Sequence, residues 1–311
     1  MHQLVENNIL IAIIGPTAGG KTSVAANLAN KINGEIISAD SRQVYRKMSI
    51  GTGKDLEDYI INGRQIPFHL IDIKDPGYKY NVFEYQKDFY SAFSDIISRN
   101  KVPVLCGGTG LYIEAATLNY RMQEVPPDEK LRSELEKKSL EELADILKKY
   151  RSLHNTTDTD TKKRAIRAIE IEKYRINYKP EIEIPKINPV FLGIKFDRQS
   201  QRKRITERLK FRLDNGMIEE VKNLLDEGMT PEDLIYYGLE YKYITNYILG
   251  KIKYEEMFSG LNTAIHQFAK RQMTWFRRME RKGIPIHWID EYDDMENKLE
   301  KMISIIDNFM E

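Results

Sequence analysis

Short apolar runs alternate with amphipathic stretches along the first hundred residues. Helical patterns occupy 23–32 and 81–98, and the second begins with Asn81 and Glu84 at capping-box spacing. Alternating strands and helices of this kind predict an α/β fold built on a parallel sheet. Four runs have the length expected of buried strands: 9–14, 35–39, 68–73 and 102–106.

The pattern changes after about residue 118. Two prolines follow at 126 and 127, and prolines 180, 185 and 189 bracket an extended linker. We therefore predict a helical insertion at 118–190 within a core formed by 1–117 and 191–311. The predicted helices are 128–150 and 162–174 in the insertion and 198–227, 231–249, 254–282 and a C-terminal helix in the core, with strands at 191–196 and 286–289.

A phosphate-binding loop joins the first strand to the first helix. Backbone amides and the helix N-terminus in such a loop bind phosphate oxygens, its lysine neutralises their charge, and its hydroxyl contacts Mg²⁺. The core is therefore predicted to be a P-loop NTPase-like domain that binds nucleotides, with ATP as the first candidate. The loop consists of Gly15, Pro16, Thr17, Ala18, Gly19, Gly20, Lys21 and Thr22, with Thr22 as the metal contact.

Composition adds the expected compartment and a class of partner. No apolar run approaches the roughly 20 residues that span a bilayer, and Cys106 is the only cysteine. We expect a monomeric, cytoplasmic protein that does not associate with a membrane. The net charge is only +1, but basic residues cluster at 162–167, 198–212 and 270–282. Such clusters suit a polyanionic partner, although solvated helix faces give the same pattern.

A series of motifs resembles the tRNA dimethylallyltransferase family. After the glycine loop come Asp40-Ser41-Arg42-Gln43-Val44-Tyr45 and Ile50-Gly51-Thr52-Gly53-Lys54, and then Gly107-Gly108-Thr109-Gly110. Matches continue in order through 167–170 and 204–208 to Lys270-Arg271-Gln272-Met273-Thr274-Trp275-Phe276-Arg277. The resemblance implies transfer of a dimethylallyl group from dimethylallyl diphosphate to N6 of the adenosine just 3′ of the anticodon in tRNA.

The resemblance also implies roles for residues around the loop. Asp40 would be the base that takes the proton from the acceptor amine, with a helix cap or magnesium ligand as the alternatives. Arg208 would join Lys21 and Thr22 on the diphosphate, and Thr109 would line the channel unless it only caps a helix. Ser41 and Gln43 would orient the base or the neighbouring nucleotide, and Arg42 would contact the RNA substrate beside them.

The target base must be turned out of the anticodon stem-loop, so both sides of the RNA need contacts. Trp275 is interpreted as a stacking surface or as a residue that only flanks an apolar helix stripe, and Arg132 as an RNA contact or a surface arginine. The predicted tRNA contacts are Arg132, Lys163, Arg164 and Arg167 in the insertion and Lys270, Arg271, Gln272, Thr274, Trp275 and Arg277 in the core.

Three departures from the family pattern stand out. Asp55 occupies a position that is usually proline, Gly238-Leu239-Glu240 replaces Gly-Tyr-Arg, and 158–161 replaces a His-Pro-Asn-Asp segment. The alternatives are a P-loop nucleotide kinase, with Asp72 as its magnesium ligand, or an isopentenyltransferase acting on free adenine nucleotides. A nucleotide-dependent RNA-binding module without catalysis is the third possibility.

Overall fold

Six parallel strands form one sheet in this computed structural model, which describes residues 2–120, 122–152, 157–178 and 184–310. The order across the sheet is β5-β2-β6-β1-β7-β8, and β3 pairs with β4 in a small antiparallel hairpin. The strands are β1 (Ile9–Ile14), β2 (Gly34–Ala39), β3 (Ile60–Ile61), β4 (Arg64–Gln65), β5 (Phe68–His69), β6 (Val102–Gly107), β7 (Asn188–Lys195) and β8 (Ile286–Asp290).

The apolar runs become strands because both faces of the sheet are covered. In β1, Leu10, Ala12 and Ile14 pack into one apolar cluster, while Ile9, Ile11 and Ile13 pack into another. Successive side chains of a strand point to opposite faces, so an unbroken apolar run supplies both layers.

Helices cover these faces and continue into the C-terminal part. Among the described residues they are α1 (His2–Glu6), α2 (Lys21–Lys31), α3 (Val82–Ser98), α4 (Gly110–Thr117), α5 (Glu129–Leu135), α6 (Leu140–Lys148), α7 (Lys162–Asn177), α8 (Arg198–Asp214), α9 (Met217–Asp226), α10 (Pro231–Tyr236), α11 (Leu239–Ile248), α12 (Tyr254–Arg281) and α13 (Met295–Met310). None of the helices in the described part is long and apolar enough to cross a membrane.

The chain separates into two compact units, Met1–Tyr120 with Pro185–Glu311, and Arg121–Ile184. The smaller unit has its own apolar core, to which α5, α6 and α7 contribute leucine, isoleucine and alanine side chains. The insertion predicted from sequence, 118–190, extends a few residues beyond this unit at each end.

Several predicted elements are divided or shortened. The strand predicted at 68–73 ends at His69, because Leu70 and Asp72 adopt positive φ values of 63° and 54° and leave the extended conformation. The helix predicted at 198–227 breaks at Gly216, whose φ is 97°. The predicted helices 128–150 and 231–249 also divide, the first at the Ser139 capping box and the second at Gly238.

Strand β7 begins earlier than its apolar run. β7 starts at Asn188 and includes Pro189, whereas the sequence predicts a linker up to Pro189 and a strand at 191–196. Pro189 is tolerated because this end of β7 pairs only with β1, and pairing with β8 starts at Phe191. Pro180, also assigned to the linker, lies outside the described residues.

Candidate active site at the carboxyl ends of the strands

The sheet register brings the two glycine loops and Asp40 together. Ile14 and Ala39 both pair with Gly107. The three segments that follow β1, β2 and β6 therefore begin at the same edge of the sheet. An open cavity of about 660 Å³, including its mouth, lies at this edge. Its lining includes Thr17, Ala18, Gly19, Gly20, Lys21, Thr22, Asp40, Gln43, Thr52, Gly53, Asp55, Asp58, Gly108, Arg208 and Gln272.

The glycine loop has the geometry of an anion site. Gly20 precedes α2 with a φ of 63°, and no side chain caps the helix from that position. The first amides of α2 and the positive end of its dipole therefore face the loop. Lys21 Nζ donates a hydrogen bond to the Pro16 carbonyl at 2.7 Å. Burial, with Arg208 nearby, lowers the pKa of Lys21 to about 8.

Asp40 lies at the end of β2, and its position is fixed by its own turn. Asp40 Oδ1 accepts from the Arg42 amide at 2.8 Å, and residues 41–44 form turns rather than a helix, so the helix-cap alternative does not apply. Thr109 occupies the N-cap position of α4 but does not cap it with its side chain. Its Oγ1 instead accepts from the Ser41 amide at 3.3 Å and joins the second glycine loop to the Asp40 turn.

Two glutamine side chains bridge the loops around the cavity. Gln272 Oε1 accepts from the Thr17 amide at 2.8 Å, and its Nε2 donates to the Gly108 carbonyl at 2.9 Å. Gln43 Nε2 donates to the Gly53 carbonyl at 3.1 Å, and its Oε1 accepts from Ser38. Both amide groups are thus engaged within the protein, which favours a role in positioning loops over direct contact with RNA.

A pair of arginines from α8 approaches the cavity. Arg212 contacts both carboxylate oxygens of Asp55 at 3.0 Å, and Arg208 lies 3.6 Å from the same carboxylate. Gly53 leaves room for both guanidinium groups, since a Cβ there would collide with them. Burial and the neighbouring Arg212 lower the pKa of Arg208 to about 10. Positive charge is therefore concentrated beside the glycine loop.

Two of the three departures from the family pattern, Asp55 and Glu240, fall within this region. Asp55 is the counter-ion of the two arginines, and Glu240 lines a small adjoining pocket with Thr17, Arg208 and Arg212. Burial raises the pKa of Glu240. Arg204, one turn before Arg208, is directed elsewhere and pairs with Glu291 at 2.9 Å.

Asp72, the proposed magnesium ligand of a kinase, is committed to another partner. It forms an ion pair with the buried ammonium of Lys54, which also donates to the Tyr45 carbonyl. Asp72 is absent from the residues that line the cavity. The nucleotide-kinase alternative therefore lacks the magnesium ligand that the sequence suggested for it.

Thr22 is the cavity residue best suited to contact Mg²⁺. It lines the cavity together with the carboxylate oxygens of Asp40, Asp55 and Asp58, which are hard donors of the kind Mg²⁺ prefers. No group of three or more His, Cys, Asp and Glu residues in the described ranges could hold a metal alone. The residues fit a cation that is shared with phosphate oxygens.

The predicted RNA contacts in the smaller unit divide into two groups. Arg132 forms a bidentate pair with the buried Glu170 at 2.9 and 3.0 Å, and Arg167 contacts the same carboxylate. Arg167 also donates to the Val125 carbonyl at 2.8 Å. These two arginines hold the unit together. Lys163 and Arg164 are exposed on α7, and Arg164 pairs with Asp160.

α12 presents the predicted RNA contacts of the core. Lys270, Arg271, Thr274 and Arg277 are exposed, with 270, 274 and 277 on one helical face. Trp275 instead packs against Gly110, and the Arg278 guanidinium lies 3.9 Å from its ring centroid. These contacts favour the packing interpretation of Trp275 over the stacking one.

Sequence reasoning missed two groups at the site. Arg212 enters the sequence analysis only as part of the basic cluster 198–212, although its position one turn after Arg208 is a usable signal for a shared face. The Glu220 carboxylate contacts the loop at 49–51. Nothing in the local sequence around Glu220 indicates this partner, which lies 169 to 171 positions away.

The fold and cavity define a P-loop protein whose phosphate loop faces a fixed aspartate and an arginine pair. A family model described as IPP transferase matches residues 43–279, and one described as isopentenyl transferase matches 8–70. The chain belongs to the IPP transferase family, the tRNA dimethylallyltransferases.

Relatives and solved structures agree with this assignment. The chain is 63% identical to tRNA dimethylallyltransferase 2 of Bacteroides fragilis over 93% of this chain and 95% of the relative. It is 50% identical to the enzyme of the same name from Trichlorobacter lovleyi over 95% and 96%. The solved tRNA isopentenylpyrophosphate transferase of Bacillus halodurans is 33% identical, with a TM-score of 0.72 and 97% of both chains covered.

Proposed function

We propose that the protein transfers a dimethylallyl group from dimethylallyl diphosphate to N6 of the adenosine just 3′ of the anticodon in tRNA. One observation carries this proposal: the glycine loop, Asp40 and Arg208 line a single cavity. A site for a diphosphate leaving group and a carboxylate base for an amine are thereby combined. Membership of the family supports the same activity.

The reaction requires stabilisation of the leaving diphosphate and removal of a proton from the acceptor amine. As N6 bonds to C1 of the prenyl group, the bond from C1 to the diphosphate oxygen breaks and negative charge grows on the departing diphosphate. Lys21, Arg208 and the first amides of α2 offer positive charge and donors to that anion. Asp40 takes the proton that N6 loses, because the adenine amine is a weak nucleophile.

Mg²⁺ is proposed as the cofactor, with Thr22 as its protein contact. Bound there, the ion would offset charge on the leaving diphosphate. The chain's own contribution is to hold the hydroxyl of Thr22 and the carboxylate of Asp40 in the same cavity.

The proposed RNA substrate is the anticodon stem-loop. The target adenosine must leave its stack to reach Asp40, and the exposed cations of α12 and α7 would bind the phosphates around it. We also propose that the protein acts as a monomer in the cytoplasm.

The deciding experiment is incubation with dimethylallyl diphosphate, Mg²⁺ and unmodified tRNA, followed by mass analysis of the nucleosides. We expect one prenylated adenosine per tRNA, at the position just 3′ of the anticodon. A parallel reaction with AMP and ATP as acceptors is expected to give little product. Prenylation of the free nucleotides alone, or phosphoryl transfer from ATP, would replace the proposal with one of the alternatives.

A further inference from the structure

Residues 49–54 form a compact turn whose amide end points at one carboxylate. The turn closes on itself through the Lys54 amide, which donates to the Ser49 carbonyl at 3.0 Å, and the Gly53 amide, which donates to Ile50 at 3.3 Å. The amides of Ser49, Ile50 and Gly51 converge on Glu220 of α9 at 2.7, 2.7 and 3.0 Å. Consecutive amides arranged in this way form an anion-binding concavity.

Glu220 has a fourth donor from a third element. The hydroxyl of Tyr241 in α11 donates to Glu220 Oε1 at 2.7 Å, and the Tyr241 side chain is buried. A carboxylate that accepts four hydrogen bonds is held in one place, and it holds its donors in turn. The turn is thereby joined to α9 and α11, two elements of the C-terminal part.

The other end of the 49–54 turn forms part of the cavity wall. Thr52 and Gly53 line the cavity, and Gly53 lies against the guanidinium groups of Arg208 and Arg212. The Gly53 carbonyl accepts from Gln43, three residues after Asp40. A shift of this turn would therefore move both the surface against which Arg208 packs and the support of the Asp40 segment.

We propose that Glu220 is a positioning residue for prenyl transfer, which anchors the 49–54 turn so that Arg208 meets the departing diphosphate correctly. This inference rests on the proposed function. Glu220 is absent from the cavity lining and acts through the turn. Its loss should affect the transition state more than donor binding, because the glycine loop and Lys21 still hold the donor.

The test compares Glu220→Gln with Glu227→Gln. Glu227 follows the last residue of the same helix and contacts Lys47 through an exposed ion pair, so it links nearby segments without touching the three amides. In Glu220→Gln the side-chain NH2 group replaces one carboxylate oxygen, so it faces the backbone N–H donors of the turn and cannot accept their hydrogen bonds. For Glu220→Gln we expect kcat to fall by about tenfold or more while KM for dimethylallyl diphosphate stays within about threefold. Glu227→Gln should match the wild type.

A second pair of variants separates anchoring by the amides from general loss of packing. Gly51→Ala would place a Cβ 2.8 Å from the ring and hydroxyl of Tyr241, so it should displace the turn and reproduce the kinetic change. Tyr241→Phe removes one of the four donors and leaves the three amides in place, so it should keep at least about half of kcat. An equal loss in Tyr241→Phe and Glu220→Gln would overturn the role of the amides.

Hydrogen exchange gives a readout that does not depend on activity. In Glu220→Gln the amides of residues 49–51 should exchange at least about tenfold faster than in the wild type, with α2 unchanged. Unchanged exchange, or a kcat within about twofold of the wild type, would refute the positioning role. If the wild type fails to prenylate tRNA, the proposed function fails, and faster exchange would still establish the anchor itself.

Discussion

Lys21 combines a functional need for positive charge with an environment that opposes it. Burial, together with the nearby Arg208, lowers the pKa of Lys21 to about 8. The ammonium is charged below that pH and loses its proton above it, so donor capture should weaken on the alkaline side. We expect kcat/KM for dimethylallyl diphosphate to fall about tenfold per pH unit above roughly pH 8.

The Lys21→Arg variant provides the control for this alkaline fall in kcat/KM. Arginine stays protonated throughout the accessible range, so the alkaline fall should disappear even if the absolute rate drops. If kcat/KM still falls near pH 8 in Lys21→Arg, a group other than Lys21 causes the alkaline fall.

Asp40 should matter for chemistry much more than for binding. Its Oδ1 accepts from the Arg42 amide, and asparagine can keep that bond, so Asp40→Asn should fold normally. We expect the single-turnover rate to fall by roughly 100-fold or more while the Kd for tRNA stays within about threefold. Filter binding and rapid quench measure the two quantities. Equal losses in both would make Asp40 a positional residue only.

The cavity residues were easier to predict than the roles of the cations. Lys21 belongs to the phosphate-loop motif, and Asp40 and Arg208 belong to segments that resemble motifs of the family. The structure places all three around one cavity. The partners of Arg132 and Asp55 lie 38 and 157 positions away, and such pairings depend on tertiary packing that local sequence does not record. For the same reason nothing in the local sequence indicates the role of Glu220.

At the level of elements, apolar periodicity predicted where strands and helices occur better than where they end. Strand β1 follows its apolar run closely, because burial on both faces requires such a run. The edge strand β8, in which only Ile286 and Ile289 are buried, also ends within one residue of its prediction. Helix breaks at Gly216 and Gly238 were missed, since the amphipathic pattern resumes beyond each glycine. A positive φ, available to glycine at little cost, ends the helix without disturbing that pattern.

The exposed face of α12 is the element from which we expect the largest electrostatic contribution to RNA binding. Reversing charge at Lys270 and Arg271 should weaken tRNA binding by at least about tenfold at low salt. The slope of log K against log salt concentration should fall in magnitude by about one to two, because fewer phosphate contacts release fewer counterions on binding. Lys87→Glu, at an exposed lysine on α3, is the control. A slope that equals the wild-type slope would place the RNA on another surface.

At the scale of the whole molecule, the cavity that we propose as the donor site belongs to one unit. All residues that line the cavity lie in Met1–Tyr120 and Pro185–Glu311. The unit Arg121–Ile184 has a separate apolar core and its own buried ion-pair network around Glu170. This arrangement suggests that donor binding and part of RNA binding can be separated experimentally.

Replacing residues 121–184 with a flexible Gly-Ser linker tests that separation. The remaining unit keeps the glycine loop, Asp40 and Arg208, so its affinity for inorganic diphosphate should stay within about twofold of the intact protein. The Kd for tRNA should rise by at least about tenfold, because the cations of α7 are removed. Calorimetry with diphosphate and filter binding with tRNA measure the two effects. Loss of diphosphate binding in a folded variant would show that the smaller unit also supports the donor site.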